Sequence, residues 1–191
     1  VTRSPRHHKK NEMPNCVLTG GYSQSTCPLP ASGVYHNRCW IGTLAEINTF
    51  YEGSTSNEYD LIDFVGSNGL FAVTVHKDGV VWSETKSEDD DTYSQQLEFR
   101  IVDHSITARN FVESLLGVDI VCIVEIKAGV FKIIGKDSGA RLVQDNATTE
   151  ADANGRTCII RADEMPEPCP HFWNTSEANT LAKLASYEVT T

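Results

Sequence analysis

The sequence predicts a mainly β protein with some α: two packed β-sheets, a sandwich or barrel, with one flanking helix and a long projecting β-hairpin. Three observations predict it. Short apolar segments alternate with polar residues at a period of two, and turn residues separate them. Only one internal segment, "DHSITARNFVESLLG", carries a strong helical period, with Ala108, Phe111, Val112, Leu115 and Leu116 on one face. Finally, "YSQQLEFRIVDHSITARNFVESLLGVDIVCIVEIKAGVFKIIGKDSG" reads as strand, helix, strand, turn, strand with almost no spare residues.

Each element follows in order. Residues 1–12 are polar and basic, without periodicity, and form an expected N-terminal extension. Met13 is the expected natural start, and the rival reading is a basic arm that folds onto an acidic neighbour. Residues 16–32 are rich in Gly, Ser and Pro and read as a loop or arm. Residues 34–50 mix aromatic and β-branched side chains and predict one or two strands. "YEGSTSNEYD" reads as a turn region, and "LIDF" as a short strand ended by "GSNG".

In "LFAVTVHKDGVVWSETKSEDDDTYSQQLEFRIV", Phe71, Val73 and Val75 alternate with Ala72, Thr74 and His76, and residues 77–79 predict a tight turn or a bulge. The acidic knot "SEDDD" cannot bury itself, so it is expected at the tip of the long hairpin. Ser105 or Thr107 is positioned to cap the helix, and Gly117 to end it. "VDIVCIVEI" predicts a central strand, "VFKIIG" its partner, residues 141–143 a short strand inside a long loop, and "RTCIIRA" the last strand, stopped by "EMPEPCP". Residues 13–170 form the expected β-sandwich domain. Residues 171–191 form a C-terminal extension, in which "NTSEANTLAKLASYE" reads as a further helix with Asn174 or Thr175 as cap and Leu181, Leu184 and Ala185 on one face.

Composition narrows the function. The chain has 191 residues, enough for one domain with a real core, and a formal net charge of −10. That charge argues against a nucleic-acid clamp, which needs clustered Lys and Arg to neutralise phosphates. No apolar run approaches the roughly 18 residues of a membrane span, and no apolar stretch follows the basic start as a secretory signal requires. Of the six cysteines, Cys16, Cys27, Cys39, Cys122, Cys158 and Cys169, two sit in apolar strands ("IVCIV", "TCIIR") and read as small buried thiols. A disulfide framework is the alternative, and with the sequons at Asn146 and Asn174 it would make the chain a secreted, disulfide-stapled binding module.

No phosphate loop and no G-x-S-x-G is present, and His7, His8, His36, His76, His104 and His171 lack metal-ligand spacing. The run from Glu88 to Asp91 lacks the order of a calcium loop. Trp40, Trp82 and Trp173 are scattered, which suits core or interface anchors better than a base-stacking platform. No enzymatic activity, cofactor or metal is therefore expected.

The segments "MPNCVLTGGYS…GVYHNRCWIG", "FAVTVHKDGVVWSETKSEDDDTYSQQLEFRI", "ITARNFVESLL", "IVCIVEIKAGVFKIIGKDSG" and "CIIRADEMPEP" resemble, in the same order, the pattern of small virion proteins of tailed bacteriophages of the Bacteroidetes group. The resemblance covers residues 13–170 and rests on element order and short strings. It implies a phage tail-tube-like fold and a tail tube subunit that assembles into stacked, six-fold rings around a DNA-conducting channel. The implied partners are identical copies, other phage tail or neck proteins, and genomic DNA passing through without specific binding, with no membrane. The implied place is the virion, and the host cytoplasm during assembly. A head-to-tail connector, a tail terminator or a capsid accessory protein would share the pattern.

The chain departs from the pattern in its basic extension, its residues 171–191 and its number of thiols; the two added segments fit a specialised ring. The hairpin tip and its base, Glu84, Glu88, Asp89, Asp90, Asp91, Tyr93 and Gln95, are the expected subunit interface.

Overall fold

The computed structural model describes residues 38–75, 80–127, 129–149 and 155–189. Eleven strands among them form two sheets that do not close into a barrel. The larger sheet takes β1 (Arg38–Thr43), β2 (Ile47–Glu52), β3 (Glu58–Phe64), β4 (Phe71–Thr74), β7 (Ile120–Lys127), β8 (Val130–Ile134) and β11 (His171–Phe172), in the order β2-β3-β11-β8-β7-β1-β4. The smaller one takes β5 (Val81–Lys86), β6 (Tyr93–Ile101), β9 (Arg141–Thr148) and β10 (Gly155–Met165), in the order β5-β6-β10-β9. Among the named strands every described pairing is antiparallel except that of β11 with β3, and an isolated parallel bridge joins Leu70 to Glu188. The fold class expected from the pattern is the one observed: mainly β, two sheets, with a helix at the flank.

Side-chain alternation builds the core. On β6, Gln95, Leu97, Phe99 and Ile101 face inward and are buried, while the intervening residues are partly exposed. Cys158, Ile160 and Ala162 of β10 join them, against Cys39, Ile41, Cys122, Val124 and Ile134 of the larger sheet. The central strand β7 has no polar alternation because both of its faces are covered. Ile120, Cys122 and Val124 point into the sandwich, while Val121 and Ile123 join a second core with Trp40, Phe131, Ile133 and Phe172. Helix α2 (Glu177–Ser186) supplies Leu184 to that second core.

Helix α1 (Ile106–Ser114) starts at Ser105, whose hydroxyl oxygen accepts the Ala108 N–H at 3.2 Å. Its Ala108 and Val112, with Leu115 just beyond, enter the core between the sheets, but Leu116 lies 59 % exposed on the turn after the helix. Gly117 follows at φ +73°, as its role in ending the helix requires. Gly135 closes the β8 end at φ +76°, where a Cβ would lie 2.5 Å from the Ala140 amide nitrogen.

Several expectations change. The long hairpin is not one ribbon. β4 belongs to the larger sheet and β5 to the smaller, so the chain passes between sheets after Val75, and the hairpin proper is β5–β6 with its tip at 87–92. The turn or bulge expected at 77–79 lies outside the described residues, as do residues 1–37. The short strand at 141–143 is eight residues long, and β10 runs on to Met165 through a bulge at which Glu164 adopts φ +57°.

Residues 171–189 are integrated with the larger sheet, through β11 and through side chains packed on its outer face. Phe172 is fully buried, and Tyr187 Oη accepts the Ile62 N–H of β3 at 3.0 Å. The α2 cap is Ser176, one residue past the expected pair, and Thr180 rather than Ala185 shares the buried face with Leu184.

Candidate interaction surface

The seven residues expected at an interface fall into two groups. Glu88, Asp89, Asp90 and Asp91 sit exposed at the β5–β6 tip. That tip is shaped by Ser87, whose hydroxyl oxygen accepts the N–H groups of Asp89 and Asp90 at 3.3 and 3.2 Å. The Ser87 N–H closes the turn onto the Thr92 carbonyl at 2.9 Å. Lys86 pairs with Asp91 at 2.9 Å, yet the Asp91 side chain is 97 % exposed, so the pair adds little stability.

The other three are occupied inside the subunit. A carboxylate oxygen of Glu84 accepts the Cys169 N–H. Gln95 is buried, and its amide ties β6 to two neighbours: Nε2 donates to the Glu167 carbonyl at 3.1 Å, and Oε1 accepts the Gly135 N–H at 3.1 Å. Tyr93 packs against the core between the sheets. Spacing on the hairpin could not separate these groups, because it does not tell which residues a second sheet covers.

The four described cysteines are core residues. Cys39, Cys122, Cys158 and Cys169 are free and buried. Burial is the main cause that pushes the Cys158 and Cys169 thiols up to about 12, and the contact with Cys39 and burial together raise Cys122 well above the ordinary range. Cys16 and Cys27 lie outside the described residues. Among the described residues no group of His, Cys, Asp and Glu side chains is arranged to hold a metal ion, and no helix is long and apolar enough to cross a membrane.

Sequence reasoning expects exposed strand edges for neighbouring copies but does not say which strands form them. Among the described residues the two sheets leave four of them, β2, β4, β5 and β9. Natural edges are commonly guarded by charge and polarity. β9 carries Arg141, Gln144, Asp145 and Asn146, β2 carries Asn48, Thr49 and Glu52, and β5 carries Ser83, Thr85 and Lys86. The β4 sequence, "FAVT", has no charge.

Beside β4, between that strand and α1, runs a groove of about 1250 Å³ lined by Phe71, Val73, Val75, Ile101, Phe111 and Val118 among others. Val102, which also lines it, is 53 % exposed, and the neighbouring Ile106 is 66 % exposed, so apolar surface continues past the groove onto the start of α1. An exposed, contiguous apolar patch of this kind marks an interaction site more often than a scattering of single residues does.

One end of the β4 edge is taken. The Leu70 N–H donates to the Tyr187 carbonyl at 2.8 Å, and the Val189 N–H donates to the Leu70 carbonyl at 3.0 Å. The Leu70 peptide groups therefore face away from β1, and by the two-residue period those of Ala72 and Thr74 face the same way. No described strand pairs with β4 on that side. Compared with known proteins, the chain matches no family model, and neither a curated protein nor a solved structure shows significant similarity to it.

Proposed function

We propose that the chain is a structural subunit that assembles with identical copies: a tail tube subunit of a bacteriophage virion, forming stacked rings around a channel for DNA. The observation that carries this reading is that, among the described residues, both sheets are open and the uncharged β4 edge lies beside an apolar groove. A ring of copies can cover such an edge by head-to-tail contact until the circle closes. The resemblance of residues 13–170 to small virion proteins supplies the kind of assembly. A net charge of −10 suits a wall along which DNA slides, since like charges repel and no counterions are released.

In this reading the exposed tip, Glu88 to Asp91, meets the adjacent ring, whereas Glu84, Tyr93 and Gln95 hold the hairpin to its own subunit. Purified protein examined by negative-stain electron microscopy should show rings or short tubes. Removing residues 87–91 should leave a folded protein with the β signature of the parent by circular dichroism, forming rings that do not stack. A parent protein that stays a monomer across the concentration range at which tubes are sought would overturn the reading.

A further inference from the structure

We infer that residues 171–189 form a latch: together with the β2–β3 hairpin they open from the rest of the subunit as one unit, uncovering the edge of β8 while the core between the two sheets stays folded. The inference does not depend on the proposed assembly.

The two cores divide the subunit along this line. Among the described residues, the core between the sheets takes no side chain from β2, β3, β11 or α2. Those four elements meet in the second core. There Tyr59 and Ile62 of β3, Phe172 of β11 and Leu184 of α2 are buried with Trp40, Val121, Ile123, Phe131 and Ile133 of the central strands, and Phe50 of β2 packs against them. Loss of this outer layer leaves the contacts among the central strands, the smaller sheet and α1 in place.

The joint is narrow. β11 has two residues and separates β3 from β8, so among the named strands β3 pairs with β2 and β11 alone. The His171 N–H donates to the Asn57 carbonyl at 2.9 Å and the Trp173 N–H to the Tyr59 carbonyl at 2.8 Å, while on the other side the Ile133 N–H donates to the Pro170 carbonyl at 3.0 Å. The hairpin returns one bond, from the Ile62 N–H to Tyr187 Oη. The far end of the segment is clasped by Trp40, whose Nε1 donates to Glu188 Oε1 at 3.0 Å.

These ties make the opening joint. A two-stranded hairpin is marginal on its own, so β2–β3 loses its order once the segment lifts, and the segment loses one side of β11 once the hairpin leaves. Lifting frees the Ile133 N–H and bares Phe131 and Ile133, so the seated segment keeps β8 from becoming a further open edge.

Native-state hydrogen exchange of the full chain, followed amide by amide in low urea, tests the latch. The N–H groups of Ile62 and Trp173 cross the joint in opposite directions. They should exchange through one opening, with a single free energy and urea slope, both below those of the β6 amides. Leu184→Ala, in the second core, should speed both by on the order of 100-fold. Ile160→Val, in the core between the sheets, should speed the β6 amides by roughly five-fold and leave Ile62 and Trp173 unchanged. Exchange of the two probes through the same opening as β6, or their acceleration by Ile160→Val, would overturn the latch. Exchange of Trp173 while Ile62 stays as protected as β6, or an Ile62 rate indifferent to Leu184→Ala, would overturn the joint opening.

Discussion

Glu125 offers a measurement that probes the packing of the larger sheet directly. It sits at the end of β7, fully buried, with Oε1 accepting the Gly129 N–H of the β7–β8 turn at 2.8 Å. Burial raises its carboxyl to about 7, the Gly129 bond pulls the other way, and Glu177 raises it further. An unfolded Glu titrates near 4.3. Between those two values the folded chain binds more protons than the unfolded one, so this group's contribution to stability falls as pH rises and levels off above about 7.

At about 1.4 kcal/mol per pH unit, the contribution is on the order of a few kcal/mol. His171 acts in the opposite sense: burial and Lys132 lower its pKa, so its contribution is lost as pH falls. A Glu125→Gln variant separates the two, since the amide oxygen can still accept the Gly129 N–H while carrying no charge. Urea denaturation of both proteins from about pH 5 to 8 gives the difference in unfolding free energy, from which His171 cancels. The variant should gain on the parent as pH rises and be the more stable at the alkaline end by that amount. A difference that does not change with pH would refute the assignment of the titration to Glu125.

The tie between the two sheets predicts a second loss. Gln95→Leu leaves the Glu167 carbonyl and the Gly135 N–H without their partner, which should lower stability by about 2–4 kcal/mol with an unchanged urea m-value. Thiol titration provides a third check. The four buried cysteines should be silent to a disulfide reagent in the native state and all react in denaturant without reduction, whereas missing thiols there would favour the stapled module. Ser105→Ala should cost about 1 kcal/mol through the lost α1 cap, read as a lower denaturation midpoint.

The central layers were legible because their sequence periods are strong. Phe71 and Val73 alternate on β4 and Val75 continues the period just past it, "IVCIV" reads as a strand covered on both sides, and α1 shows its cap, its face and its terminating Gly117. Leu116 was misplaced because α1 ends with Leu115 as its cap, so the next residue leaves the helical face. The polar half of β9, "QDNAT", has low strand propensity. It is extended because β10 offers it a ladder, with Arg156 paired to Asp145 at 2.5 Å across the two strands. β11 has two residues and no period to read, and only the parallel contact with β3 defines it. The division of the hairpin between two sheets was hidden for a related reason. Val75 and Val80 are both buried in the sandwich core, and alternation is the same whether a strand continues or changes sheet.

This division bears on how a ring could be made. Had β4 and β5 formed one continuous ribbon with β6, the β4 edge would have projected with the tip, away from the helix. Because the chain changes sheets after Val75, β4 stays at the border of the larger sheet, beside β1 and the groove, while the acidic tip belongs to the smaller sheet alone. The two surfaces therefore answer to different forces. Charge at the tip is screened within about 10 Å at moderate ionic strength, whereas burial of Phe71, Phe111 and Val102 depends on area removed from water. A subunit arranged in this way can hold its lateral neighbours through an apolar contact that salt leaves intact, and tune its stacking through a polar one that salt weakens. In the proposed assembly, lateral association would then be the stronger of the two, and rings would form before tubes.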